Sequence, residues 1–281
     1  MNKILITGAK GQLGTEISKI LPNAIYTDAD VLDITNANDV KDFVKSNNVD
    51  TIINCAAYTA VDRAEDDVEL ARKINVNGPA NLAKTGANLI HISTDYVFDG
   101  TAHRPYMPDD ITNPISVYGV TKRAGEVAVM ENARNAIIIR TAWLYSAHGN
   151  NFVKTMRRLG LEKESINVVC DQVGTPTFAG DLASAIVKIL PQLNEKNRGI
   201  YHFTNAGVCS WYDFATAIMD MSGLKCDVYP IRSEEYPTRA KRPFYSVLDT
   251  NKIRKTFDIA PEHWTIGLKK CIGQLNQQNT K

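Results

Sequence analysis

No apolar run in this chain approaches the ~20 residues that a membrane-spanning helix needs. Neither sign of charge is in excess: 32 Lys and Arg stand against 31 Asp and Glu in 281 residues. Without a basic field to draw in nucleic acid or anionic lipid, a partner of either kind is not expected, and neither is a membrane. Cysteine is scarce, with five scattered residues (Cys55, Cys170, Cys209, Cys226 and Cys271) and no C-x-x-C. An odd, scattered set argues against a disulfide framework and a zinc site, and for reduced thiols in a cytoplasmic protein. Internal repeats and low-complexity linkers are missing as well. Residues 1–8 are short, apolar and glycine-terminated, which reads as a first strand and not as a signal peptide.

What is there is ordinary in amount and ordered in pattern. Hydrophobic residues make up 44%, enough at this length for one large domain or two unequal ones. Apolar runs at 3–7, 24–28, 51–55, 89–93 and 136–140 read as strands, the first buried on both faces. Helical patterns fall between them, at 12–21 (stopped by Pro22), 38–47, 62–85 and 115–132. Gly78-Pro79 is expected to kink or divide the third of these. Strands alternating with helices in this way predict an α/β fold with a doubly wound parallel sheet. Beyond about residue 145 the pattern loosens. Helices are expected at 150–161, 178–190, 210–222 and 265–275, strands at 166–169 and 200–204, and a loop at 171–177. We therefore expect a Rossmann-like core over residues 1–145. Residues 146–281 would be a mixed region that completes the sheet and adds a smaller C-terminal lobe.

In such sheets ligands sit beyond the carboxyl ends of the strands. Gly8, Asp28, Ala56 and Thr94 all fall there. Gly8, Gly11 and Gly14, with Leu13 between them, follow the first strand and open a helix. Glycines at this spacing allow a tight turn, close approach of backbone to a pyrophosphate, and a helix N-terminus facing the anion. Asp28 lies where a carboxylate accepts hydrogen bonds from an adenosine ribose. It would discourage a 2′-phosphate, whereas Lys10 could pair with one, so NADH and NADPH both stay open. Asp33 and Ile34 are placed against the adenine. The small residues of Ala56-Ala57-Tyr58-Thr59 let backbone pass close to a cofactor. Tyr118 and Lys122, four residues apart, project from one helix face. An ammonium beside a phenol favours the phenolate, so Lys122 is expected to lower the Tyr118 pKa and make it a general acid/base. Thr94, at another strand end, could hold a substrate carbonyl.

These residues resemble the extended short-chain dehydrogenase/reductase superfamily and, within it, the dTDP-4-dehydrorhamnose reductase family. The closer pointers are Asn54-Cys55-Ala56-Ala57-Tyr58-Thr59-Ala60-Val61-Asp62, Ser93-Thr94-Asp95-Tyr96-Val97-Phe98-Asp99-Gly100 and Arg140-Thr141-Ala142-Trp143-Leu144-Tyr145. Gly149-Asn150-Asn151-Phe152, Asp171-Gln172-Val173-Gly174-Thr175-Pro176-Thr177 and Arg242-Pro243 continue the series over nearly the whole chain. The resemblance implies Tyr118 as proton donor, Lys122 on the nicotinamide ribose and Thr94 on the sugar C4 oxygen. It places Asp95 and Trp143 near the sugar. Lys10, Gly11, Gln12, Asp28, Asp33, Ile34, Ala57, Tyr58 and Thr59 match cofactor positions. The implied reaction passes a hydride from the reduced nicotinamide to C4 of a nucleotide-linked 4-keto sugar while Tyr118 gives its proton to the oxygen. Tyr96 stands after Asp95 where related dehydratases carry Glu, which argues for reduction over dehydration. Some members bind magnesium through glutamates at a dimer interface. Glu16 matches one such position, Asp181 a second, and Gln274 replaces the third; magnesium is not expected, and a homodimer is left open.

Arg239, Lys241 and Arg242 form a basic stretch suited to a diphosphate, with Arg242 beside Pro243 the substrate-binding candidate. Trp211, Trp264 and His91 read as packing or core groups. The rivals are the same chemistry on another keto-deoxysugar nucleotide, and a non-catalytic binding protein resembling the regulatory subunit of methionine adenosyltransferase.

Overall fold

In the computed structural model, which describes residues 3–278, the first strand, β1, spans Ile4–Thr7. Met1 and Asn2, which the sequence reading joins to it, lie outside the described residues. Leu5 and Ile6 are fully buried, as a parallel sheet covered on both faces requires. Five strands join β1, all in parallel: β2 (Ile25–Thr27), β3 (Thr51–Asn54), β4 (Asn88–Thr94), β5 (Ala136–Thr141) and an edge strand at Gly199–His202. Their order across the sheet is β2, β1, β3, β4, β5 and the edge strand. The chain winds one way from β1 to β2 and the other way from β3 onward. The switch therefore lies between β1 and β3, where a doubly wound sheet opens its ligand crevice.

Alternate residues feed two helical layers. Ile6, Ile53, Ile90 and Ile137 pack with Leu13 and Ile17 of the helix Gln12–Ser18 and with Leu182 and Ile186 of the helix Ala179–Ile189. Leu5, Ile52, Leu89 and Ile138 pack on the other side with Val40 and Val44 of the helix Ala37–Asn47 and Val129 of the helix Val117–Asn132. A third cluster, including Tyr145, Phe178, Phe214 and Leu268, lies under the helices Phe152–Glu162, Trp211–Ser222 and Trp264–Gln278.

The 62–85 stretch departs from expectation. It runs as Val61–Ala64, Val68–Arg72, a π turn at Lys73–Asn77 and a last helix at Gly78–Ala83. The interruption falls before Val68. The backbone stays helical from Val68 to Ala83, and Pro79 follows just after the π turn, in which the Gly78 amide bonds the Lys73 carbonyl five residues back. Two of the longer elements escaped the sequence pattern, the strand Asp227–Ile231, which pairs in parallel with Ser165–Val169, and the helix Asn251–Phe257; so did the two-residue strands Leu144–Tyr145, Val173–Gly174, Thr177–Phe178 and Cys209–Ser210, the middle two in or beside the expected loop 171–177. The strand Asp227–Ile231 carries Pro230 and is largely exposed, so it lacks the apolar alternation that marks a half-buried strand. Among the described residues no helix is long and apolar enough to cross a membrane.

Candidate active site

The turn after β1 has room for glycine only. Gly8 adopts φ +70°, and a Cβ there would meet the Ala56 amide nitrogen at 2.7 Å. A Cβ on Gly14 would lie 2.4 Å from the Gly8 carbonyl oxygen. Backbone from β1, β3 and the following helix thus converges without side chains, the cradle that a bulky anion needs. Asn54 fixes the gap: its Oδ1 accepts from the Thr7 hydroxyl at 2.7 Å and from the Ala56 amide at 3.1 Å.

A cavity of about 760 Å³ extends from this cradle across the carboxyl ends of the strands. One wing is lined by Gly8, Gly11, Gln12, Leu13, Gly14, Asp28, Asp33, Ile34, Ala56, Ala57 and Thr59, the other by Thr94, Asp95, Tyr118, Lys122, Trp143 and Arg242. Of the candidates read from the sequence for these sites, Lys10 and Tyr58 are not in the lining. The Lys10 amide donates to Asp28 Oδ2 at 2.7 Å, while its exposed amine pairs with Asp30 at 2.7 Å. Lys10 thus orients Asp28 through its backbone. The Tyr58 amide donates to Asn75 Oδ1 at 2.8 Å and its hydroxyl lies 2.9 Å from Asp67 Oδ2, so it pins the loop after β3.

Thr94, Tyr118 and Lys122 meet at the inner end. Ser116 caps the helix Val117–Asn132 by accepting from the Gly119 amide at 3.2 Å, and the first turn then presents Tyr118. Its ring meets Tyr96 edge-on, with centroids 5.5 Å apart. Lys122 is only 2% exposed and donates to the Ile92 carbonyl at 2.7 Å. Burial pulls its amine down to about 8, against the pull of Glu126 and Cys55. Burial likewise pushes the Tyr118 phenol above its ordinary value, with the Thr94 hydroxyl opposing. The expectation that Lys122 lowers the Tyr118 pKa is therefore corrected: desolvation dominates both groups and keeps the phenol protonated. A protonated phenol is the form that a proton donor starts from. The Thr94 hydroxyl donates to Asp95 Oδ1 at 2.9 Å and accepts from the Tyr96 amide at 3.2 Å. Burial pushes the Asp95 carboxyl up to about 6, against hydrogen bonds from Thr94 and Ser246.

Residues outside the original candidates complete the walls. Trp211 stacks on Trp143 with centroids 3.5 Å apart and planes 9° from parallel, and both line the cavity. Trp211 therefore packs, as the sequence suggested, and also faces the site. Trp143 itself holds φ +48°, a strained setting for a large side chain. Trp264 is buried in the C-terminal core. Arg242 pairs with Asp62 Oδ2 at 2.6 Å and donates to the Tyr96 hydroxyl at 3.2 Å, and Arg239 pairs with Asp66. His91 is buried and held well below its usual value by desolvation. The neutral ring accepts from Asn54 at Nδ1, so Nε2 carries the hydrogen and has no partner among the described residues. Glu16 pairs with Lys19 at 2.7 Å and lies 3.7 Å from His148; Asp181 pairs with Lys270. Among the described residues no group of three His, Cys, Asp or Glu is placed to hold a metal.

The glycine cradle faces half-buried Tyr118 and buried Lys122 across one cavity, at the crevice where this sheet reverses its winding. That juxtaposition is the design of an NAD(P)-dependent oxidoreductase of the short-chain dehydrogenase/reductase type. The family described as RmlD substrate binding domain matches residues 1–277. A dTDP-4-dehydrorhamnose reductase from Aggregatibacter actinomycetemcomitans is 42% identical over 96% of this chain and 98% of its own. The crystal structure of a dTDP-4-dehydrorhamnose reductase from Clostridium acetobutylicum superposes with a TM-score of 0.94, at 47% identity, covering 98% of this chain and 99% of that one. Another from Bacillus anthracis, in complex with NADP, also gives 0.94, at 41% identity over 98% and 100% of the two chains. The chain belongs to the dTDP-4-dehydrorhamnose reductase family.

Proposed function

We propose that this protein reduces the C4 keto group of dTDP-4-dehydro-L-rhamnose to give dTDP-L-rhamnose, in the cytoplasm and in the service of cell-surface polysaccharide synthesis. The observation that carries the reading is the convergence of Thr94, Tyr118 and Lys122 on the cavity that begins at the Gly8 cradle. That cradle, which a single Cβ would fill, fits a dinucleotide pyrophosphate, with Gly11, Gln12, Leu13 and Gly14 beneath it. Asp28 would take the adenosine ribose, Asp33 and Ile34 the adenine, and Ala56, Ala57 and Thr59 the inner face. When bound, the reduced nicotinamide supplies the hydride.

The remaining work falls to the protein. Tyr118 gives its proton to the C4 oxygen, and Thr94 holds that oxygen in reach. Lys122 stabilises the phenolate that forms. Asp95 and Trp143 orient the sugar, and Arg242 holds the diphosphate with its guanidinium fork. Residues 1–145 serve the cofactor and carry Thr94, Asp95, Tyr118, Lys122 and Trp143, while residues 146–281 complete the sheet and add Trp211 and Arg242 to the sugar-side wall.

The direct test is loss of NADPH or NADH absorbance with dTDP-4-dehydro-L-rhamnose. Oxidation with this sugar supports the reading and ranks the cofactors. Cofactor binding without oxidation would sink it, and would direct the search to other keto-sugar nucleotides.

A pH dependence follows from Lys122. Its ammonium exists below about 8 and is lost as pH rises through that value. Stabilisation of the Tyr118 phenolate is lost with it. We expect kcat/KM, which reports the free enzyme, to fall by about tenfold per unit above that point. A profile that stays flat to a pH of about 10 would show that the Lys122 charge is not used.

A further inference from the structure

A buried ion pair lies one helical turn beyond Lys122, outside the cavity lining. Glu126 is fully buried and Arg140, on β5, is 1% exposed. Arg140 Nε donates to Glu126 Oε1 and Nη2 to Oε2, both at 2.8 Å. Ser93, the residue before Thr94, donates its hydroxyl to the same Oε1 at 2.6 Å. The Nη1 group donates to the Pro108 carbonyl at 3.1 Å and faces His202 Nε2 at 3.4 Å. His202 lies on the edge strand, where burial pulls its imidazole down to about 3. The neutral ring donates from Nδ1 to the Tyr106 carbonyl at 3.1 Å, so its other nitrogen accepts from Arg140. The Arg140 guanidinium also lies 5.1 Å from the centre of the Phe98 ring. Both carboxylate oxygens and most guanidinium donors are therefore satisfied inside the protein.

A buried charge pair is weak evidence for stability, because replacing both charges by neutral groups is often tolerated. Here the network joins the elements that carry the reacting groups. Ser93 is on the strand that delivers Thr94, and Glu126 is on the helix that delivers Tyr118 and Lys122. Arg140 and His202 are on the next two strands. We propose that Glu126 and Arg140 are positioning residues: Glu126, held by Arg140 from β5 and by Ser93 from β4, locks the strand end bearing Thr94 to the helix bearing Tyr118 and Lys122, and sets the field at the lysine. This rests on the catalytic roles proposed above. Lys122 is faced by Glu126 from its own helix, Cys55 from the end of β3 and His91 from β4. Glu126 is faced by Arg140 from β5 and by Arg123 at 3.5 Å from its own helix. Of the groups around Lys122, Glu126 is the one whose negative charge is held in place by three donors, two from Arg140 and one from Ser93. Removing it leaves the positive Arg140 uncompensated, and the lysine should then give up its proton more readily.

The test uses the full chain with Glu126→Gln and the double variant Glu126→Gln/Arg140→Met, in which neither half of the ion pair is left without the other. Lysine labelled with ¹³C at Cε is titrated by NMR, the Lys122 signal being assigned by its absence in Lys122→Met. In Glu126→Gln the Lys122 midpoint should move down by about one unit, and the alkaline limb of kcat/KM should move with it. In the double variant the midpoint should return toward wild type and thermal stability should recover. Its kcat should stay down by about tenfold, because the lock between strand and helix is gone. The KM for NADPH should change little in either. An unmoved midpoint in Glu126→Gln, or wild-type kcat in the double variant, would overturn the proposal. The NMR readout needs no substrate. A midpoint that moves in a protein that does not reduce the dTDP sugar would leave the electrostatic part standing and reject the assigned substrate instead.

Discussion

Tyr118→Phe is expected to lower kcat by roughly 10²- to 10⁴-fold, the range a positioned general acid supplies. Affinity for NADPH should stay within about twofold, since the substitution removes one hydroxyl and leaves the ring. The ring keeps its edge contact with Tyr96, and the helix keeps its Ser116 cap. What would disappear is the phenol proposed to give its proton to the C4 oxygen, which desolvation keeps protonated at neutral pH. Thr94 cannot replace it: an aliphatic hydroxyl is a much weaker acid than a phenol, and in the free protein it donates to Asp95 at 2.9 Å. Lys122 is held back by the Ile92 carbonyl. The measurement is steady-state kinetics with a parallel fluorescence titration of NADPH. Loss of turnover together with loss of cofactor affinity would mean that Tyr118 shapes the pocket and is not its acid. Turnover at the wild-type rate would remove it from the chemistry altogether.

The parts of this site that were legible in the sequence are those fixed by local geometry. An apolar run that ends in glycine and gives way to a helix can hardly be anything but β1 and its turn. Gly8, Asp28 and Thr94 then fall at strand ends by counting. Tyr118 and Lys122 share a helix face because their spacing says so. The rest depends on contacts between distant segments. Arg242 meets Asp62 and Tyr96, 180 and 146 residues earlier. Trp211 faces the cavity because Trp143 stacks on it. Asp30 holds the Lys10 amine, and no spacing rule announces that pair. The most instructive reversal concerns Tyr118 and Lys122. Adjacency on a helix suggests that the cation acidifies the phenol, but the sign of a pKa shift depends on how much water both groups lose. Here Lys122 is buried and Tyr118 half-buried, and desolvation moves the phenol up and the amine down. Arg140 shows the same limit. It follows three isoleucines in a run that reads as wholly apolar, and its burial makes sense only once Glu126 is seen beside it.

The largest effect on the cofactor wing is expected from Gly8→Ala. Two separate costs act at this position. A φ of +70° places any L side chain in the left-handed region, which costs about 1–2 kcal/mol. The new methyl would also lie 2.7 Å from the Ala56 nitrogen and 2.8 Å from the Cys55 carbonyl carbon, both backbone atoms. Those atoms cannot retreat easily. Thr7 and Asn54 are opposite each other in the β1–β3 ladder, and the Asn54 side chain ties both strand ends together. Relief would require opening the sheet at its switch point, which is the crevice that the pyrophosphate would occupy. Gly86→Ala separates the two costs, because Gly86 also has positive φ, +83°, but nothing lies within 4 Å of its would-be Cβ. Gly86→Ala should lose only the conformational share, about 1–2 kcal/mol, and bind NADPH as wild type does. Gly8→Ala should lose distinctly more stability, by denaturant titration, and should bind NADPH at least about 100-fold more weakly, as expected when backbone can no longer approach the phosphates. Equal losses in the two variants, with cofactor binding retained in both, would mean that the gap beside Ala56 can widen freely. The strand ends would then not be what positions the cofactor.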